Sequence, residues 1–571
     1  MFALLLSACL SGQLIEDSGA VVVVFLGVEC PLSRLYANRL NAWQEKYPDA
    51  RFVAVDANQH DTAEEVAAFA KDFGLRVPFV NDFKLARQWG ATRNPEAFVL
   101  LNGEIKYRGR IDDRYAPGRS PRVQPSRRDL EIAIEEILAV GKASVSRTEP
   151  VGCFIDLPGD DSETRGVAYP QVAGIFHQRC AECHRPGQVA PFSLLTYADA
   201  AGWTETIREV LVQERMPPWG ADAPHGRFVN DRSLTKQEKA LLLAWLDAGV
   251  PEGRPADAPV PPRFTDGWEI GQPDVVLTMP RPFTIPAEGV IEYQEFVLDP
   301  HFSEDAWIQA IEVQPGNRSV VHHINVFQRP KNAAPDTLYM SDAGDFYLGV
   351  FLPGNSVTSF GPGIGKLVPA GWDIVLEVHY VATGAVERDQ SRIGLRRMDP
   401  ADVRYQAASR QLITADYEIP PHSLATVRAE TTLEDDYTLA ALYPHMHLRG
   451  KSMLFEAIYP RGETETLLDV PRYDFGWQFR YELAKPKPLP KGTVLRCTAV
   501  YDNTSANPNN PDPAVTVRHG RRSTDEMFQA MFDVYRPVAP TAVNRFPLLA
   551  GFLIAGLLLL RCSGRSRRLP P

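Results

Sequence analysis

The sequence predicts a multidomain chain: an α/β domain, an all-α domain, two all-β sandwich domains and a C-terminal apolar helix. Three observations lead there. A length of 571 residues exceeds what a single hydrophobic core organises. Hydrophobic periodicity changes along the chain, mixed to about residue 140, helical from about 146 to 255, and of period two beyond about 270. The 48 prolines, against 40 glycines, suit short strands joined by turns. A net charge of −11 leaves no basic footprint for nucleic acid.

In the first part, Val21–Leu26 is an unbroken apolar run of the kind that forms a central parallel strand. A helix is expected from about Pro31 to Tyr47, a strand at Arg51–Val55 and a helix at Thr62–Phe73. Strands at Ala97–Leu101 and Ile105–Gly109 meet through Asn102-Gly103, a hairpin signal, and a helix at Arg128–Val140 closes the unit. The order resembles the thioredoxin-like redoxin fold over residues 1–145, in which a cysteine follows the first core strand. Here that residue is Cys30, in Glu-Cys-Pro-Leu-Ser, at a helix N-terminus that lowers a thiol pKa. The second cysteine of the family's dithiol is replaced by Ser33, and a peroxiredoxin-like threonine or serine by Gly27. Pro95 matches the family's cis-proline. Two readings stay open, a one-cysteine redox site and a structural or docking domain, and Cys153 is a candidate partner for Cys30.

Residues 146–255 contain Cys180-Ala-Glu-Cys183-His184. Two thiols at this spacing can take the vinyl groups of a porphyrin while the following imidazole reaches the iron. The run from Cys180 to Trp219 resembles small cytochrome c domains, which implies one covalently bound heme c with Met216 as the sixth ligand. His177 and His225 compete for that role, and Leu234–Gly249 is the expected closing helix.

Residues 256–269 read as a linker. Strands are expected at Phe283–Ile285, Glu292–Leu298, Ala306–Val313, His322–Phe327, Asp373–Val381, Ala425–Glu430 and Thr493–Tyr501, in sandwiches spanning 270–410 and 411–540. Five of the 12 histidines fall in three short strand-like segments. His445 and His447 leave the same face of a strand, whereas His322 and His323 need a bulge or a strand end to serve one ion. His379 completes a three-nitrogen set. Imidazoles suit copper and zinc equally.

These segments resemble the copper type II, ascorbate-dependent monooxygenases, the peptidylglycine- and dopamine-hydroxylating group. Val-His-His-Ile-Asn matches the family's paired-histidine motif, Pro-His-Met-His-Leu-Arg-Gly its His-x-His motif, and Ser523-Thr-Asp-Glu-Met527 its thioether segment. The resemblance implies two copper ions, an electron-donating one on His322, His323 and His379 and an oxygen-binding, catalytic one on His445, His447 and Met527. The implied activity is a copper-dependent monooxygenase that hydroxylates a C–H bond of a small organic substrate with dioxygen. An external one-electron donor (a reduced cytochrome, a quinol-linked chain or an ascorbate-like reductant) would feed it through the heme. Tyr443, Gln529 and Met531 replace residues that hold a peptide carboxylate in the family, so a C-terminal glycine peptide is not the expected substrate. Arg449 offers either an anion contact or a surface salt bridge; Tyr380, Tyr443 and Phe528 line an apolar pocket or fill a core. The alternative is a non-oxygenating heme/copper electron-transfer protein, and a third reading is a surface adhesion module.

Both ends are apolar. The first residues, ending in Leu-Ser-Ala-Cys9, read either as a lipoprotein signal or as a misplaced start. Phe546–Leu560 is apolar and followed by Arg561, Arg565, Arg567 and Arg568. At about 22 Å this run is short for a bilayer, yet flanking arginines can snorkel. It predicts a transmembrane anchor, 546–560, with everything before it in the periplasm or outside the cell.

Overall fold

The computed structural model describes residues 19–538, apart from 117–121, 123, 158–165, 223, 290 and 334–345. The lipoprotein-like start with Cys9, the apolar run 546–560 and Cys562 lie outside the described residues.

The N-terminal sheet is built on β1 (Ala20–Phe25), whose six residues are all buried. β2 (Ala50–Asp56) and β3 (Phe79–Asn81) extend it in parallel, and β4 (Glu96–Leu101) and β5 (Glu104–Gly109) in antiparallel sense, giving the order β3-β2-β1-β4-β5. A strand buried on both faces explains the unbroken run of valines. Asn102 and Gly103 both take positive φ (52° and 78°), the conformation a two-residue hairpin turn requires. α1 (Pro31–Lys46), α2 (Ala63–Asp72), α3 (Phe83–Trp89) and α4 (Asp129–Val140) complete the unit. α2 begins in a reciprocal Thr62–Glu65 capping box.

Next come α5 (Tyr169–Ile175), a π-helical turn over Phe176–Cys180, α6 (Tyr197–Ala201), α7 (Thr204–Val212) and α8 (Lys236–Asp247). They pack around Trp245, Phe176 and Tyr169. The expectation of a free-standing all-α cytochrome c-like domain is corrected here. Residues 219–222 and 224–230 leave the helices and join the β structure: Ala484 donates to the Arg227 carbonyl (2.7 Å), Phe228 bridges to Leu483, and Trp219 packs on Tyr481 (4.9 Å between ring centroids). The described residues up to Pro537 cluster as one compact unit.

The remainder is β. In the first half, β6 (Gln294–Leu298), β7 (Ala306–Gln314), β8 (Val321–Pro330), β9 (Tyr347–Phe351), β10 (Ile364–Val368), β11 (Trp372–Tyr380) and β12 (Arg392–Met398) follow one another. In the second are β13 (Tyr405–Thr414), β14 (Leu424–Thr432), β15 (Tyr437–His445), β16 (Gly450–Ile458), β17 (Thr464–Val470), β18 (Tyr481–Leu489), β19 (Val494–Asp502) and β20 (Phe528–Pro537). A four-stranded sheet, β6-β11-β8-β9, faces one part of the core; β14-β19-β16-β17 faces another. A nine-stranded sheet, β18-β15-β20-β13-β10-β7-β12 ending at Val275–Thr278, with Val357–Ser359 paired to β7 off this path, backs both. It crosses between the halves where β10 pairs with β13 in parallel, Ile364–Lys366 against Tyr405–Ala407. Two independent sandwiches were expected; instead one sheet is shared. The molecule is a multidomain, mostly β structure with several sheets.

The anchor expected at 546–560 lies outside the described residues. Among the described residues no helix is long and apolar enough to cross a membrane, so a membrane partner and a membrane-anchored location find no support there.

Candidate metal centre

His322 and His323 open β8, and His379 lies on β11 directly opposite His323. Adjacent residues on a regular strand point to opposite faces. Here the β8–β11 register shifts between Val321 and His323, and this irregularity brings both imidazoles to one side. Nδ1 of His322 lies 3.0 Å from Nδ1 of His323, and the three rings are 5.0–5.2 Å apart between centroids. One nitrogen from each lies within 4.8 Å of the others, the single such three-residue group among the described residues.

The surroundings keep these rings neutral. Burial lowers the pKa of His379 to about 3, helped by His322 and His445. Burial likewise presses His323 well below its ordinary value, with His379 and His322 adding to it; it lowers His322 despite the Gly476 carbonyl, 3.3 Å from Nε2. Neutral imidazole is the form that binds metals. Nδ1 of His379 is buried without a hydrogen-bond partner. A Zn–N bond of about 2.0–2.1 Å sets nitrogens about 3.3 Å apart in a tetrahedron, so closing on an ion takes only small ring rotations. The donor set fits a transition-metal ion.

His445 ends β15, His447 follows it, and Met527 precedes β20. The three line one cleft of about 490 Å³, including the part open to solvent, together with Tyr293, Tyr347, Glu377, Tyr443 and Arg521. Nδ1 of His445 is 2.6 Å from Oε1 of Gln478. Burial lowers His445 to about 4, and burial with the nearby His445 lowers His447 to about 3. Phe475 stands between the two histidine groups, 6.4 Å from His379 and 5.9 Å from His447.

Several residues that sequence reasoning missed hold this arrangement. Glu526 is fully buried and accepts from the amides of Arg449 (2.6 Å), His447 (2.9 Å) and Met527 (3.2 Å). Its position beside Met527 was the one available signal. Gln478 and Phe475 lie far from the histidines in sequence and carried none. Tyr293 stacks on His379 at 4.8 Å. Arg449 is neither an anion contact nor a surface ion pair: it is buried and donates to Asn503 and to the Thr524 and Asp512 carbonyls. Tyr443 lines the cleft, while Phe528 and Tyr380 are core, the latter donating to Asp389.

Cys180-Ala-Glu-Cys183-His184 forms a tight turn in which the amides of Cys183 and His184 both reach the Cys180 carbonyl. Both thiols are free. Nδ1 of His184 meets the Phe192 carbonyl, and the Phe192 ring is 4.7 Å from the imidazole and stacked on Trp203. Cys183 packs beside Gly354 and Arg232. Met216 turns its amide to the Val210 carbonyl, and His177 contacts the Leu195 carbonyl.

No family model matches the chain, and no curated protein matches it. Among solved structures, a hypothetical protein from Sinorhizobium meliloti is 25% identical, with 26% of this chain and 84% of that one covered and a TM-score of 0.23. An uncharacterised conserved protein from Geobacillus kaustophilus is 21% identical over 26% and 81%, also at a TM-score of 0.23. A secreted Mycobacterium tuberculosis disulfide oxidoreductase homologous to DsbE of E. coli is 15% identical over 16% and 66%, at 0.15. These scores are too low to carry a functional argument. The resemblance to copper monooxygenases and cytochromes c is therefore corrected: no family model and no curated protein of either group matches the chain. With it go the heme c, the dicopper centre, the oxygenase activity with its dioxygen, organic substrate and one-electron donor, and the heme/copper electron-transfer alternative. What stands is a cluster of three histidines, one buried and two half-buried, beside a cleft.

Proposed function

We propose that this chain is a metal-binding protein holding one first-row transition-metal ion between His322, His323 and His379. His445, His447 and Met527 form a second, softer donor set on the cleft. The observation that carries the reading is the convergence of three neutral imidazoles, one buried and two half-buried, one of them with an unpartnered buried ring nitrogen. A buried polar atom left unpaired costs free energy, which an ion at this point would recover. The bound ion supplies a Lewis-acidic charge; the chain supplies the orientation, through the β8 irregularity and the Gly476 carbonyl on His322.

The test is titration of metal-stripped protein with Co²⁺ and Zn²⁺, followed by absorption and calorimetry. One ion is expected to bind tightly per chain. His379→Ala and His323→Ala are expected to weaken it by more than about 100-fold, whereas His447→Ala leaves it largely intact. A concentration of 100 times Kd should raise stability by about 2.7 kcal/mol, seen as a higher Tm. Equal binding by the wild type and both variants, with melting curves showing all three folded, would sink the proposal.

A further inference from the structure

The metal reading does not involve the N-terminal unit, where two cysteines distant in sequence meet. Cys30 caps the N-terminus of α1 and is 1% exposed, and its Sγ donates to the Asn94 carbonyl at 2.8 Å. Cys153 arrives from the connection to the helical segment. Its two-residue strand, Cys153–Phe154, pairs with Arg93–Asn94 and sets Cys153 directly opposite Asn94. The approach depends on Gly152, whose φ is +152° and where any Cβ would lie 1.9 Å from the Asn94 carbonyl oxygen. Cys30, through its Sγ, and Cys153, through its strand pairing, thus both meet Asn94, and both are free thiols. Ser33 holds the position where a second cysteine of the helix would stand, and its hydroxyl accepts from the Gly27 amide.

We propose that Cys30 and Cys153 form a redox-active pair that cycles between dithiol and disulfide by exchange with an external dithiol or disulfide. In the reductive direction a partner thiolate attacks the sulfur of Cys153, the more exposed of the two. The Cys30–Cys153 bond breaks, a mixed disulfide forms at Cys153, and Cys30 leaves as a thiolate. The partner's second thiolate then attacks its own sulfur in the mixed disulfide and releases Cys153, which takes up a proton. Two electrons pass from the partner dithiol to the pair, and the partner departs as a disulfide; oxidation runs the same steps backwards.

The environment favours Cys30 as the leaving sulfur. Burial opposes its ionisation, but hydrogen bonds from Cys153 and Ser33 overcome that and bring the thiol down to about 6. The same contact with Cys30, together with burial, pushes Cys153 well above its ordinary value. A low-pKa leaving thiol speeds exchange, and a stabilised reduced form makes a disulfide oxidising. The pair also sits at a junction. Arg93 lies over the Phe154 ring at 3.7 Å and pairs with Glu209 of α7, and the Phe154 amide donates to Thr206.

The full-length protein, incubated across mixtures of reduced and oxidised glutathione, would be acid-quenched, alkylated, digested and mapped by mass spectrometry. A Cys30–Cys153 cross-linked peptide is expected in the oxidising mixtures, and it should disappear in the reducing ones while the protein stays folded. Cys30→Ser and Cys153→Ser should each abolish that peptide, and Cys497→Ser should not. The proposal is overturned if both cysteines alkylate at every ratio, if the cross-link is reduced only after denaturation, or if Cys30 joins a different cysteine. The wild-type map decides the matter even where a variant fails to fold.

Discussion

Glu526→Ala is expected to cost about 3–5 kcal/mol of stability, because it strips the acceptor from three buried backbone amides at once. Those amides belong to His447, Arg449 and Met527, so the loss falls on the segments that position the second donor set. Equilibrium denaturation would read the cost, and metal titration should show that the site on His322, His323 and His379 persists. A pH signature accompanies it. Burial raises the Glu526 pKa from near 4.5 to about 7, although the His447 and Arg449 amides pull it down. Between those values the folded chain binds more protons than the unfolded one, so stability falls as pH rises through that window and levels off above it. Glu377 and Glu29, also raised to about 7 by burial, slope the same way. The difference between wild type and variant therefore isolates Glu526. A variant with an unchanged pH slope would refute this assignment.

Asp533→Ala should be comparably severe, about 3–5 kcal/mol, since it leaves Arg480 buried without its main counter-charge. Arg480 Nε donates to Asp533 at 2.8 Å with side chains only 5% and 15% exposed. Ser409 donates to the same carboxylate at 2.5 Å and accepts from Lys366 at 2.6 Å. Lys366, Ser409 and Asp533 sit on β10, β13 and β20, where the shared sheet crosses between its halves, and Arg480 immediately precedes β18. Burial alone would raise the Asp533 pKa, but Arg480 and Lys366 hold it below the usual carboxylate range. Its stabilisation is therefore full above the unfolded value and is lost as pH falls through the folded one. Replacement of both Arg480 and Asp533 by apolar residues should recover part of the loss, because the Arg480 guanidinium is then not left buried without its carboxylate. Urea midpoints for the single and double variants, taken at neutral and acidic pH, check both statements.

Much of the local structure was legible because it depends on neighbours in sequence. The valines of β1, the Asn102-Gly103 turn and the alternation in β7, β8 and β11 each declare their element within a few residues. The His322–His323 pair also signalled, through the bulge it would need, the irregularity that β8 contains. What stayed hidden depends on contacts distant in sequence. Nothing near Ile364 announces parallel pairing with Tyr405, so one sheet read as two. Nothing near Arg227 announces a strand-like contact with Ala484, so a helical segment read as self-contained. Gln478 and Glu526 act through backbone and ring nitrogens, which leave no residue-type pattern. The motif matches erred differently. Short spacings such as Cys-x-x-Cys-His constrain a handful of residues, and they were extended to whole domains that neither the contacts nor the comparisons support.

The four-stranded sheet β6-β11-β8-β9 has a mechanical consequence. A cleft between two loosely joined bodies can close like jaws, adapting its width to whatever enters. Here one wall carries Tyr443 and Met531 on the shared sheet, and the other carries Tyr347 and Glu377 on the four-stranded sheet. Val350 and Leu352 pack on Tyr443 and Met531, so the gauge of the opening is set by interlocked apolar side chains rather than by backbone hydrogen bonds.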